Sequence, residues 1–261
     1  MSRIVPMINA EFLKLRKRRG MLALAIVLTV GGVVVANVFE AIYHATSPLK
    51  YAAAGGMHGF LTNLTLFNIT ATLAAVILGA TAGAQDTGSG VFRSLVATGQ
   101  SRLKLAGVRI PGGLMLLLPV LLVAYGVELA GAFLFASGTP TPDGTTMLVG
   151  LGWLMAVAVL NFCVALGLAV LLQARGTAIG LLIAWHLALS RLIETAAPLG
   201  NWRVLVSSVA TDRFLPNATD LVTMREGNTI TVTIAVALVV VVAWIAVATA
   251  LGMWRTVTQD A

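Results

Sequence analysis

The residues best placed to do chemistry lie in one polar stretch: Asp86, Gly90, Arg93 and Leu95, then Ser101, Arg102, Lys104 and Arg109. Nothing else between Met21 and Phe135 is so charged. A carboxylate and several cations set around glycines suit the docking of a partner protein more than the making of bonds. Val91, Phe92, Leu95 and Val96 recur at i, i+1, i+4 and i+5 while Arg93 and Ser94 face away, which predicts a short amphipathic helix able to fit a partner's groove. Gly88 and Gly90 are expected to break the element before it and turn the chain, and Asp86 to favour the N-terminal dipole of the helix that follows. On composition alone the stretch also reads as an ordinary loop.

Covalent chemistry has little to work with elsewhere. Asp86-Thr-Gly88 matches the aspartic-protease tripeptide, but that reaction needs two carboxylates sharing a proton. Gly88-Ser-Gly90 lacks the lysine of a phosphate-binding loop, so the chain is not expected to hydrolyse ATP. His44 and His58 have only Glu40 nearby at a ligand spacing, and Cys163 stands alone, so neither a metal centre nor a disulfide is expected. Glu128 and His186 are the ionisable residues inside apolar segments and are the functional suspects there. Glu128 also reads as a boundary residue, and His186, beside Trp185, as a neutral side chain bonded to a neighbouring helix. Arg191 and Glu194 sit three apart on one helical face and can pair, or simply reach to the interface.

The elements that must position these residues follow from composition. With 58% hydrophobic residues, 10% charged residues and a mean hydropathy of +0.94, the chain lies outside the soluble range. Roughly 20 apolar residues cross a bilayer core, and six windows qualify, near 21–39, 65–84, 107–130, 147–172, 176–194 and 230–253. Continuous apolar runs without period-two alternation point to helices and not a barrel. The expected fold is an all-α membrane protein, a six-helix bundle in a single domain over 1–261. The leading basic-then-apolar run is read as a retained first span, since its core is too long for a signal peptide.

Lysine and arginine set the expected orientation. The cluster from Arg3 to Arg19, the cluster from Arg93 to Arg109, Arg175 and Arg255 fall on one side if there are six spans, which predicts both termini in the cytoplasm of a bacterial plasma membrane. The net charge of +7 is thus a topology signal with membrane lipid as the acidic partner, and no nucleic-acid role is expected. Residues 1–20 carry an interfacial amphipathic helix, with Val5, Ile8, Phe12 and Leu15 on one face and Asn9, Glu11, Lys14, Lys17 and Arg18 largely on the other. Gly79 with Gly83, and Gly176 with Gly180, are small-residue pairs that allow close helix approach, within the chain or at a dimer seam.

These features together resemble the ABC type-2 transporter permeases. In that family's cytoplasmic signature Asp86 takes the acidic place, Gly90 the glycine, Arg93 the arginine, Leu95 the leucine, Ser101-Arg102 the Ser-Arg pair and Arg109 the later basic residue. Val91 stands where the family has threonine, Gly99 where it often has proline, and Asp86 where glutamate is commoner. Glu11-Phe12-Leu-Lys14-Leu-Arg16 looks like the elbow helix before the family's first span, and 197–229 like its external gate, a pair of short re-entrant helices. The resemblance spans the whole chain.

What it implies is a non-enzymatic permease of an exporter. Residues 86–104 would be its coupling-helix loop, docking through Asp86, Gly90, Val91, Phe92, Arg93, Leu95, Ser101 and Arg102 onto a separate ATPase subunit that carries the ATP and magnesium. A second permease copy or a related permease would complete the pathway for an amphipathic or hydrophobic drug, antibiotic, peptide or lipid-like molecule. A non-transporting scaffold or sensor of the same fold is the alternative.

Overall fold

In a computed structural model of the chain, residues 4–88, 99, 101–216, 218, 221–223 and 229–258 are described. The chain is built mainly of helix, and six helices are long and apolar enough to cross a membrane: Arg19–Thr46, Gly56–Gln85, Arg102–Leu134, Gly144–Leu172, Arg175–Thr195 and Ile234–Thr258. We number these spans one to six. Most extend beyond the windows read from hydropathy, because an amphipathic or polar turn continues a helix that a hydropathy window cuts off. The second begins nine residues earlier than expected, at Gly56, where a φ of +72° turns the chain out of the preceding loop. With six spans, both chain ends lie at one end of the bundle and the short cap between spans five and six lies at the other.

Spans two and four form the centre. Their apolar windows are 61% and 67% buried, against 17% for spans five and six, which therefore offer most of their surface to lipid or another chain. The central contact is close because Gly79 and Gly83 lie one turn apart on span two. A Cβ at Gly83 would come within 2.5 Å of the Leu166 carbonyl, and one at Gly79 would overlap the Phe162 carbonyl. This pair therefore serves packing within the chain. Gly176 and Gly180 meet nothing and face open space.

The third span begins at Arg102 and not near 107. Ser101 caps it, its hydroxyl oxygen accepting from the Lys104 N–H at 3.4 Å. The helix breaks at Val108 and restarts at Arg109, with Pro111 in the new first turn, where its missing N–H costs little. Arg109 is not a loop residue: it is buried, and its guanidinium donates to the Gly83 carbonyl at 3.1 Å, satisfying an acceptor near the C-terminal end of span two.

Two spans carry π-helical turns, Val27–Gly31 in span one and Trp185–Leu189 in span five. Beyond span five, where the sequence suggests paired short helices, the chain forms a 3-10 segment Ala197–Leu205, kinked at Gly200 (φ +51°), and one short helix, Ser207–Asp212. A two-stranded antiparallel ladder follows, with Leu221 opposite Thr231 and Thr223 opposite Thr229. Buried Val204, Val206, Val209, Ala210, Ile230 and Val232 hold this cap onto span six. Trp153 of span four and Trp244 of span six tie it down, each indole N–H donating at 2.9 Å, to the Thr211 and Leu205 carbonyls respectively.

Candidate functional site

Span four carries Leu160, Asn161, Val164, Gly167, Leu168 and Leu171 along one stripe at helical spacing. Opposite it, the π-turn of span five widens the helix and directs Trp185 and His186 toward the same space. Trp244, Val247, Ala248 and Leu251 of span six close the third wall. The result is an almost wholly apolar chamber of about 340 Å³, in which the rings of Trp185 and Trp244 lie 5.9 Å apart.

A second cavity of about 470 Å³ adjoins it, and Leu160, Asn161, His186 and Ser207 line both. Its walls are polar: Thr65, Asn68 and Thr72 from span two, Ser190 and Arg191 from span five, and Ser208, Thr211 and Asp212 from the cap. Asn161 is held at the junction by donating to the Val157 carbonyl at 2.9 Å and to the Thr72 hydroxyl at 3.5 Å. Together the cavities run from Leu171, next to the last residue of span four, to Asp212 in the cap.

The charges of the polar chamber are arranged unequally. Arg191 and Glu194 form the expected pair at 2.9 Å, and Glu194 also accepts from the Ser208 hydroxyl at 2.5 Å. Asp212 makes no hydrogen bond or ion pair through its carboxyl among the described residues. Burial, reinforced by the negative charge of Glu194 and only partly opposed by Arg191, pushes that carboxyl from its usual 3.8 up to about 7.

This has a measurable consequence. The folded chain keeps the Asp212 proton to about pH 7 and the unfolded chain only to the ordinary carboxylate range, so stability falls as pH rises between those values. Asp212→Asn removes the titration. Its melting temperature in detergent is expected to exceed the wild-type value at about pH 8 and to converge with it at about pH 4; equal values at both would mean that Asp212 is not desolvated.

The remaining sequence candidates fall elsewhere. Asp86 lies in the last helical turn of Gly56–Gly88, at a C-terminal and not an N-terminal dipole, and Gly88 is the helix's final residue and not a break. Gly90, Val91, Phe92, Arg93 and Leu95 lie outside the described residues. Ser101 caps span three, as above, and Arg102 donates to the Val257 carbonyl at 3.0 Å, tying the start of span three to the end of span six.

In the N-terminal helix Ile4–Arg16, Glu11 does not face away from the protein as the amphipathic reading requires. It packs beside Gly112 of span three, where an added Cβ would lie 2.6 Å from the Glu11 Cβ, and pairs with Lys14 at 2.9 Å. Leu15 is buried and Val5 exposed, so the two faces are rotated relative to the expectation. Phe12 is partly buried and carries the Arg16 guanidinium 6.0 Å from its ring centre.

Glu128 is a fully buried residue of span three, not a boundary residue. Its Oε2 accepts from the Asn37 amide of span one at 2.9 Å, and that amide also donates to the Val33 carbonyl at 3.0 Å. Gly131, one turn on, makes room for the Asn37 side chain. His186 makes no hydrogen bond to a neighbouring helix through its ring among the described residues, and it lines both cavities.

Asn37, Asn161 and Asp212 were not singled out in the sequence. The two asparagines carried a signal, being amides within apolar runs; Asp212 carried none, lying in a segment with mixed charges. The sequence matches no protein-family model, and a search among curated proteins finds no relative.

Proposed function

We propose that this chain is the membrane-spanning permease subunit of an ATP-driven ABC type-2 exporter, with both termini in the cytoplasm. The observation that carries the reading is the pair of joined cavities, because they follow the long axis of the bundle, apolar toward the chain-termini end and polar beneath the cap. A route for an amphipathic cargo needs both surfaces. The helix count and the order of elements support it, as does the Asp86-to-Arg109 motif. The helix Ile4–Arg16 would be the elbow, 86–104 the coupling loop, and the cap the external gate. Energy would come from a separate ATPase subunit, and a second permease copy or a related chain would complete the pathway against the open faces of spans five and six.

The test is co-purification with the ATPase encoded beside this chain, for wild type and for the double variant Phe92→Asp, Leu95→Asp. A complex with wild type that is lost in the variant is the expected result, with cargo accumulating in cells that lack the chain. No wild-type complex would overturn the reading. A complex whose loss leaves accumulation unchanged would assign the chain to a scaffold or sensor role.

A further inference from the structure

We infer that the joined cavities bind an amphipathic amine, its apolar body in the chamber between spans four, five and six and its cationic nitrogen against the carboxylate of Asp212. The inference rests on the pathway reading and narrows its cargo.

The charge pattern selects the sign of the head group. Arg191 already holds Glu194, and Glu194 is further engaged by Ser208, so this pair offers an incoming ion little net charge. Span two contributes the neutral Thr65, Asn68 and Thr72 to the polar chamber, span four the neutral Asn161, and span five His186 beside the Arg191 pair. Asp212 remains as the carboxyl in the wall with neither a hydrogen bond nor an ion pair among the described residues. A desolvated carboxylate in that position lacks the compensation that buried charges ordinarily have, and an ammonium group supplies it together with N–H donors.

The proton balance closes without another reactant. An amine that arrives protonated binds as Asp212 releases its proton to water; one that arrives neutral takes that proton, since an alkylamine near about 10.4 is the stronger base. Affinity for the protonated amine therefore rises with pH between about pH 6 and about pH 8 as Asp212 ionises. The apolar half needs no specific contact. Its wall of leucine, valine and tryptophan gains by removing hydrocarbon from water, about 0.8 kcal/mol for each methylene buried.

The tryptophans of the apolar chamber make this testable on the purified full chain in phosphatidylcholine nanodiscs, with no ATPase present. The probes are a long-chain primary alkylamine brominated at its far end and the alcohol of the same chain, whose bromine quenches Trp185 and Trp244 at short range. Wild type is expected to bind the amine about tenfold more tightly than the alcohol, the worth of one charge-assisted contact. Asp212→Asn should remove that preference and its pH dependence, Asp212→Glu should keep both, and Val247→Phe, which fills the apolar chamber, should weaken both probes.

Equal binding of amine and alcohol by wild type would overturn the inference, as would a pH dependence that survives in Asp212→Asn, which would pass the titration to His186. Quenching unaffected by Val247→Phe would place the probes in the surrounding lipid and overturn it as well. Because binding is read without the ATPase, failure of co-purification and failure of amine selectivity are separate outcomes.

Discussion

Gly83→Leu is expected to abolish accumulation of folded protein, and Gly79→Leu to do nearly the same. Both sites lie where spans two and four cross, and the obstacle to a side chain is backbone: the Leu166 carbonyl at Gly83 and the Phe162 carbonyl at Gly79. Backbone inside a buried helix cannot move aside as a flexible side chain can, so the cost exceeds the about 1–3 kcal/mol of ordinary overpacking. Gly83 bears a second constraint, since its carbonyl is the acceptor for buried Arg109. Gly180→Leu is the control, because nothing lies within 4 Å of the Cβ it would add. Monodisperse yield after detergent extraction checks all three; wild-type yield from Gly83→Leu would mean that spans two and four are not in this contact.

The second large effect concerns the link between spans one and three. Glu128→Leu leaves the Asn37 amide with the Val33 carbonyl alone, in a site where neither water nor another acceptor replaces the lost carboxylate oxygen. An unsatisfied buried donor costs about 1–3 kcal/mol, whereas replacing both partners with apolar groups of similar size comes closer to neutral. A double-mutant cycle therefore gives a distinctive pattern: Glu128→Leu lowers the melting temperature, Asn37→Leu lowers it too, and the pair together lowers it by less than the sum. Glu128→Gln, which keeps an oxygen for Asn37 to donate to, should stay close to wild type. Additive losses would show that the two side chains do not interact.

These expectations separate what a linear sequence carries from what it does not. Hydropathy marks where helices must be, because each span has to satisfy its own backbone in lipid whatever its neighbours do. It marks the ends poorly. Arg102 and Lys104 read as loop residues because they are charged, yet a Ser101 cap and a carbonyl of span six draw them into the first turn of span three. Arg109 illustrates the same limit, since its charge predicts exposure and only the nearby Gly83 carbonyl makes burial favourable.

The pair Arg191 and Glu194 was legible because both ends lie on one helix three residues apart, a distance that helix geometry fixes. Contacts between distant segments carry no such local rule. Asn37 meets Glu128 across 91 residues, and Trp153 reaches Thr211 across 58. Asp212 reads as one charge among several in a mixed segment, and only the folding of the cap over spans two, four and five leaves it without a partner in a cavity wall.

The sequence by itself therefore determined that this protein is a bundle of six apolar helices, since hydrophobic length and backbone satisfaction are properties of each segment alone. Which faces of those helices meet was decided by tertiary structure. Gly79 and Gly83 form an interhelical contact while Gly176 and Gly180, with the same spacing, face open space. The cavities, the buried Asn37–Glu128 link and the unpartnered Asp212 all arise from that choice of faces, because each depends on the distance between residues far apart in the chain.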